Sequence, residues 1–286
     1  MKYQDIKILK TTYLHYFHIK FQIIELYLFN SPKLKKNFFL QLIIIKEMKF
    51  FLKEREKGRF DNNYEWFLFS RKQGISGVES PKIMTQEISL GCNMTYDERG
   101  EFYHPTTIYS FMKNEQFDVD EKFYLGILNS KVLWFFLKNT GTELRGGYFR
   151  FKTNYLKPFP LPAIPNDPNL IIEKVNIMLA LNKDLQNLVN AFLILLQSKF
   201  NVETISNKLR KWNELEFAEF LKELKNLKVK LSLSEETEWM QYFNEQKEKA
   251  QAIKSEIEKT DKEINQMVYE LYGLTEEEIK IIEESL

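Results

Sequence analysis

At 286 residues, 44% hydrophobic and 28% charged, the sequence suffices for about two domains and a sizeable buried core, which excludes a disordered chain. A single cysteine, Cys92, excludes an intramolecular disulfide and fits a reducing cytoplasm. The net charge of +1 conceals a division: residues 1–160 carry 25 Lys+Arg against 17 Asp+Glu, a net of +8, and residues 161–286 carry 16 against 23, a net of −7. A basic part joined to an acidic part points the first, not the second, towards a polyanion.

Residues 1–45 are rich in Tyr, Phe and Ile, lack glycine and show no clean period. Their longest apolar run, FFLQLIII at 38–45, is far short of the ~20 residues of a membrane helix, and neither a signal peptide nor a membrane partner is expected. KEMKFFLKEREK (46–57) reads as a short helix stopped by Gly58. YEWFLF (64–69) and PKIMTQEI (81–88) read as strands, being short, aromatic or β-branched, and bounded by Gly, Ser or Pro. CNMTYDERGEFY (92–103) reads as a hairpin around Asp97-Glu98-Arg99-Gly100, where glycine permits the positive φ such a turn often needs. HPTTIYSFM (104–112) is a further strand, and DEKFYLGILNSKVLWFFLK (about 121–138) an apolar core helix. A Gly-rich loop then runs into a strand over 139–151, and five prolines between 158 and 168 mark a boundary.

The remainder reads as helical. Ile171, Val175, Met178, Asn182, Leu185, Val189, Phe192 and Leu196 alternate four and three residues apart. Trp239, Phe243, Gln246, Ala250, Ile253, Ile257, Thr260, Ile264, Met267 and Leu271 do the same. Two such seams predict an antiparallel helix pair packed like a coiled coil, with Asn182, Gln246 and Thr260 fixing register. Residues 202–228 form a shorter helical excursion; Gly273 stops the second long helix, and Thr275 with Glu278 makes a capping box for a last one. The predicted fold class is therefore an α+β (mixed α/β) domain over 46–164 followed by an all-α antiparallel helical, coiled-coil-like spacer over 165–286, with 1–45 unassigned.

No phosphate-binding glycine loop, cysteine pair, nucleophile elbow or amino-methyltransferase motif is present, so no catalytic residue, metal site or cofactor is expected in this chain. Loose acidic matches at Glu54 to Lys57 and Asp61 to Glu65 leave open a Mg²⁺-dependent nuclease with a cryptic site. The positive signal is cations interleaved with aromatics. Arg55, Arg59, Arg71, Lys72 and Gln73 flank the first strand, and Arg145, Tyr148, Arg150 and Lys152 surround Gly146-Gly147. Arginine can read guanine through two parallel hydrogen bonds and glutamine can read adenine; lysines mostly neutralise phosphates. The structural alternative is that Arg145 or Arg150 pairs with a core carboxylate and shapes the loop.

FYLGILNSKVLWFFLKNTGTELRGGYFRFKTNYLKPFPLP (123–162) closely resembles the TaqI-like C-terminal specificity domain that ends many single-chain, type IIG-like restriction–modification enzymes. FLKEREKGRFDNNYEWFLFSRKQGI (51–75), PKIMTQEIS (81–89) and EINQMVYELYGLTEEEIKIIEES (263–285) fit the same pattern, so the resemblance covers about residues 46–286. It implies a target-recognition domain for double-stranded DNA followed by a helical spacer. It also implies partners: a methyltransferase or nuclease domain or subunit that supplies S-adenosylmethionine and Mg²⁺ chemistry. A helical interaction subunit, homodimeric through its helices, is the other reading.

Overall fold

The computed structural model of the chain describes residues 43, 46–61, 66, 77, 79–104, 107–114 and 118–286. The chain divides into two units, Met1–Ile75 and Ser76–Leu286.

In the first unit, helix α1 spans Lys49–Gly58, but its backbone leaves the helical region at Arg55 (φ −49°, ψ 147°) and is left-handed at Glu56 and Lys57. Lys46 and Glu47 are helical as expected over 46–57, but a turn at Met48 interrupts the helix and it breaks again before Gly58. The Arg55 guanidinium accounts for the break: it folds back onto the Leu52 carbonyl (Nε, 2.8 Å), donates to the Trp66 carbonyl (Nη2, 2.9 Å) and lies 4.5 Å from the ring centre of buried Phe60. Apart from Trp66, the strand expected at 64–69 lies outside the described residues.

The second unit opens with two small antiparallel sheets. In one, β1 (Lys82–Gln86) lies between β3 (Thr95–Asp97) and β4 (Ile108–Phe111). In the other, β6 (Tyr148–Arg150) lies between β2 (Ile88–Ser89) and β5 (Glu143–Leu144). The segment expected as one strand over 81–88 supplies both β1 and the start of β2, bent at Glu87. The Glu87 N–H donates to the Thr107 carbonyl and its carbonyl accepts from the Phe151 N–H, both at 2.8 Å. One residue therefore fastens both ladders.

The hairpin expected over 92–103 has its turn but not its second strand. Asp97 explains this. Its carboxylate accepts from the backbone N–H groups of Glu101 (3.0 Å) and Phe102 (2.9 Å), which are then not available to a ladder. It also accepts from Lys82 Nζ at 2.6 Å, in a pair whose side chains are 1% and 2% exposed. Gly100 closes the turn at φ +65°, where a Cβ would lie 2.2 Å from the Glu79 carbonyl oxygen.

The single helix expected over about 121–138 is two, α2 (Glu121–Leu128) and α3 (Lys131–Thr140). Asn129 breaks it by donating to the Met94 carbonyl (3.0 Å) and accepting from the Met94 N–H (2.7 Å). The N–H of Lys131, opening α3, donates to Asn265 Oδ1 at 2.8 Å. A four-residue helix α4 (Thr153–Leu156) follows β6, and the proline segment runs on without helix or strand up to 168.

Helices α5 (Asn169–Phe200) and α7 (Leu233–Tyr272) form the arm. Between them lie a 3₁₀ turn at Leu209–Glu214 and α6 (Phe217–Asn226). The pair runs antiparallel: Ile171 and Val175 share a core with Ile264 and Val268, and Phe192 and Leu196 share another with Trp239 and Phe243. The first core also takes Phe123, Ile127, Leu133, Leu137 and Phe151, so the sheets, α2, α3 and the base of the arm bury one continuous apolar interior. The α7 seam is buried at Trp239, Phe243, Ala250, Thr260 and Ile264, as its spacing requires. Asn182 departs from the α5 seam: it is exposed and donates to the Met178 carbonyl of its own helix, so it fixes no register. Gly273 ends α7, and Thr275 and Glu278 cap α8 (Glu276–Ser285) reciprocally. Glu283 on α8 accepts from Tyr269 (2.7 Å) and pairs with Lys131, tying the C-terminal helix to α7 and α3.

Candidate nucleic-acid interface

The hairpin β5–β6 is the first part of the candidate surface. Gly146 and Gly147 turn it at φ +90° and +80°, which an L side chain rarely adopts. The register pairs Leu144 with Tyr148, and Ile88 with Arg150. Alternation along β6 then sends buried Phe149 inward, edge-on to Trp134 at 5.2 Å, and turns Tyr148 and Arg150 the other way. Arg145 at the turn is exposed, Tyr148 is 42% exposed, and Ile88 and Leu90 are exposed beside them. Cations, an aromatic hydroxyl and apolar side chains thus share one side of a three-stranded sheet.

Glu87 lies at the root of this surface. Its Oε1 accepts from Arg150 Nη1 at 2.8 Å and sits 3.2 Å from Lys152 Nζ. The pairing that the sequence left open for Arg150 is therefore present. The acid is less exposed than either cation, so the positive groups face outward.

Of the residues singled out from the sequence, Arg150 and Lys152 meet on Glu87, Tyr148 shares the Arg150 side of β6, and Arg145 stands exposed at the turn. Arg55 and Arg59 belong to the other unit. Arg55 is half-buried in the contacts that break α1, and Arg59 is exposed, pairing with Glu56 at 2.9 Å. Arg71, Lys72 and Gln73 lie outside the described residues. Sequence reasoning missed Glu87, Ile88 and Leu90. No local signal marks them, because their role comes from the pairing of β2 with a strand some 60 residues on.

Of the acidic matches weighed for a nuclease, Glu54, Lys57 and Asp61 are described and Glu65 lies outside the described residues. Glu54 and Asp61 line an open pocket with Phe50, Lys53, Lys57 and Gly58, and Lys53 pairs with Asp61 at 3.4 Å. No group of three or more His, Cys, Asp or Glu suited to a metal ion occurs among the described residues. Cys92 is half-buried, and burial pushes its thiol far above the ordinary range, which suppresses thiolate chemistry. No helix of the described residues is long and apolar enough to cross a membrane.

Residues 5–161 match the TaqI-like C-terminal specificity domain. The chain belongs to that family. The match takes in the hairpin, Glu87 and both sheets, and it reaches into residues 1–45, which the resemblance read from the sequence had left out. Residues 165–268 match a separate domain of unknown function (DUF8810), which covers α5 and most of α7. The chain is also 27% identical over 107 residues to the type II methyltransferase M.XhoI of Xanthomonas vasicola. That similarity takes in 37% of this chain and spans about a fifth of the relative, 19% of its length.

Proposed function

We propose that this chain reads a short sequence in double-stranded DNA and so directs a methyltransferase or endonuclease of a restriction–modification system to its site. The observation that carries the reading is the two-glycine hairpin, which sets exposed Arg145 at its turn and Tyr148, Arg150 and Lys152 along one side of a sheet within the family match. Membership of a specificity-domain family and similarity to a type II methyltransferase support the coarser role. In this reading Arg145 neutralises a phosphate, Lys152 adds to the positive field around the hairpin, and Arg150 and Tyr148 meet base edges. The chemistry of transfer or cleavage, with S-adenosylmethionine and Mg²⁺, belongs to a partner domain or subunit. The setting is the cytoplasm, where such DNA lies.

The acidic arm takes no part in gripping DNA. It carries exposed Leu170, Ile177, Ile194 and Leu195 on α5 and Leu233 and Met240 on α7, which suits it to dock on protein.

The test is selection from a random duplex pool at roughly physiological salt, followed by sequencing. Enrichment of a short motif is expected. Arg145→Gln should then weaken binding to every sequence and lower the salt slope by about one. Binding without enrichment would reduce the surface to a phosphate grip. No binding by the full chain would move the weight to the arm and a protein-docking role.

A further inference from the structure

We propose that Glu87 is a positioning residue that sets sequence discrimination: it holds Arg150 and Lys152 back from phosphates and presents the remaining Arg150 donors to a base edge. This rests on the reading of the chain as a DNA-recognition module.

The carboxylate has a fixed root. Both backbone polar groups of Glu87 are committed, one to each sheet, so its side chain leaves from a point that cannot drift without opening a ladder. One oxygen, Oε1, serves both cations, and the acid lies deeper than either. Two cations on one carboxylate leave a net single positive charge facing outward.

Arg150 carries five N–H donors in a rigid fork. Nη1 is engaged by Glu87, and the other nitrogens make no hydrogen bond to the described residues. A guanidinium anchored at one corner keeps two parallel donors for a base edge such as guanine O6 and N7, with little rotamer freedom left to lose. A phosphate offers a different bargain. To reach one that lies off this axis, Arg150 or Lys152 must leave a partly buried acid, which is then under-neutralised. The same carboxylate thus penalises sequence-independent contacts and spares the aligned one, and specificity is the difference between the two. A purely structural ion pair would stabilise the sheet junction and leave the ratio of affinities alone.

The experiment compares the full chain with Glu87→Gln, which keeps side-chain shape and the backbone hydrogen bonds but removes the charge. Affinities for the selected duplex and for a random duplex are measured across salt, with Tm recorded in parallel. For E87Q, random-duplex affinity should rise about tenfold at low salt, its salt slope should steepen by about one, and the selected-to-random ratio should fall about tenfold. Glu87→Asp, which keeps the charge, should recover much of that ratio. E87Q should have little further effect on the ratio in an Arg150→Gln background. An unchanged ratio with a lowered Tm would overturn the proposal and leave Glu87 a structural tie. Additive effects of E87Q and R150Q on the ratio would overturn it as well. Should E87Q fail to fold, Lys152→Gln serves, because it leaves Arg150 the sole cation on Glu87. Both affinities should then fall while the ratio holds or rises, and a falling ratio would count against the proposal. A wild-type chain that selects no motif defeats the recognition reading itself, and this inference with it, before any variant is made.

Discussion

In the two small sheets the backbone is fixed by charge, whereas in the arm it is fixed by rings. Lys82, Asp97 and Glu87 each bind backbone or partner groups from another strand, and Lys82 and Asp97 do so in near-complete isolation from water. In the arm, Phe192 stands at the centre of an aromatic cluster. It stacks on Trp212 at 3.9 Å and meets Phe220, Trp239, Tyr242 and Phe243 within 6.0 Å. Ionic fastening is directional and unforgiving of a missing partner; apolar packing is non-directional and scales with area. A sheet of a few residues per strand has little area to offer, so its loops are aimed by charges. The arm needs length and stiffness, and area supplies both.

Breaking each kind of fastening should expose that difference. Lys82→Met leaves a buried carboxylate without its cation and should cost about 3–5 kcal/mol. Phe192→Ala should cost a similar ~3–5 kcal/mol through the cavity it leaves. Urea denaturation gives both figures, and pH separates them. Burial raises the Asp97 carboxyl, but the Lys82 ammonium and the two backbone N–H groups outweigh it and hold the group below its ordinary value. A depressed carboxylate contributes stability above its unfolded pKa of about 4 and loses it as pH falls through the folded value. Wild type and F192A should therefore share this loss of stability on acidification below about pH 4, and K82M should show less of it. Equal pH profiles for all three chains would remove the ionic account of the sheet.

Gly100→Ala tests the turn that the pair supports. A Cβ at φ +65° would meet the Glu79 carbonyl at 2.2 Å, against backbone that cannot swing aside as a side chain could. The cost should exceed the ~1–2 kcal/mol of the left-handed conformation alone. A change of less than about 1 kcal/mol in the same denaturation assay would show that the turn yields.

How much of this was legible follows from the distance over which each feature is specified. The seam of α7, the two ends of the α5 seam, the Gly273 stop and the Thr275–Glu278 box depend on residues three to seven apart, and they stand where the spacing puts them. The break between α2 and α3 depends on Asn129 finding Met94, 35 residues away, and helical periodicity runs straight through it. The missing hairpin strand depends on a side chain outcompeting a ladder for two N–H groups. At the candidate interface, the cations and glycines are visible as types, but Glu87 becomes their partner through a strand pairing across 63 residues.

Asn182 gives the smallest expected effect and the sharpest contrast with the rest of its seam. Heptad spacing alone makes it a buried polar residue that sacrifices stability for register. Its exposure and its bond to Met178 make it a surface residue instead, flanked by half-buried Met178, Leu185 and Val189. Asn182→Leu should therefore change stability by less than about 0.5 kcal/mol, where filling a buried seam position would raise it markedly. Sedimentation of the same variant adds a second reading. A new exposed leucine beside half-buried Met178 and Leu185 enlarges the apolar surface of α5. If that surface meets solvent in the working protein, the variant should self-associate more than wild type as concentration rises. If it already lies against a partner chain or a second copy, the wild type will sediment as an assembly, and the substitution will alter that assembly rather than create one.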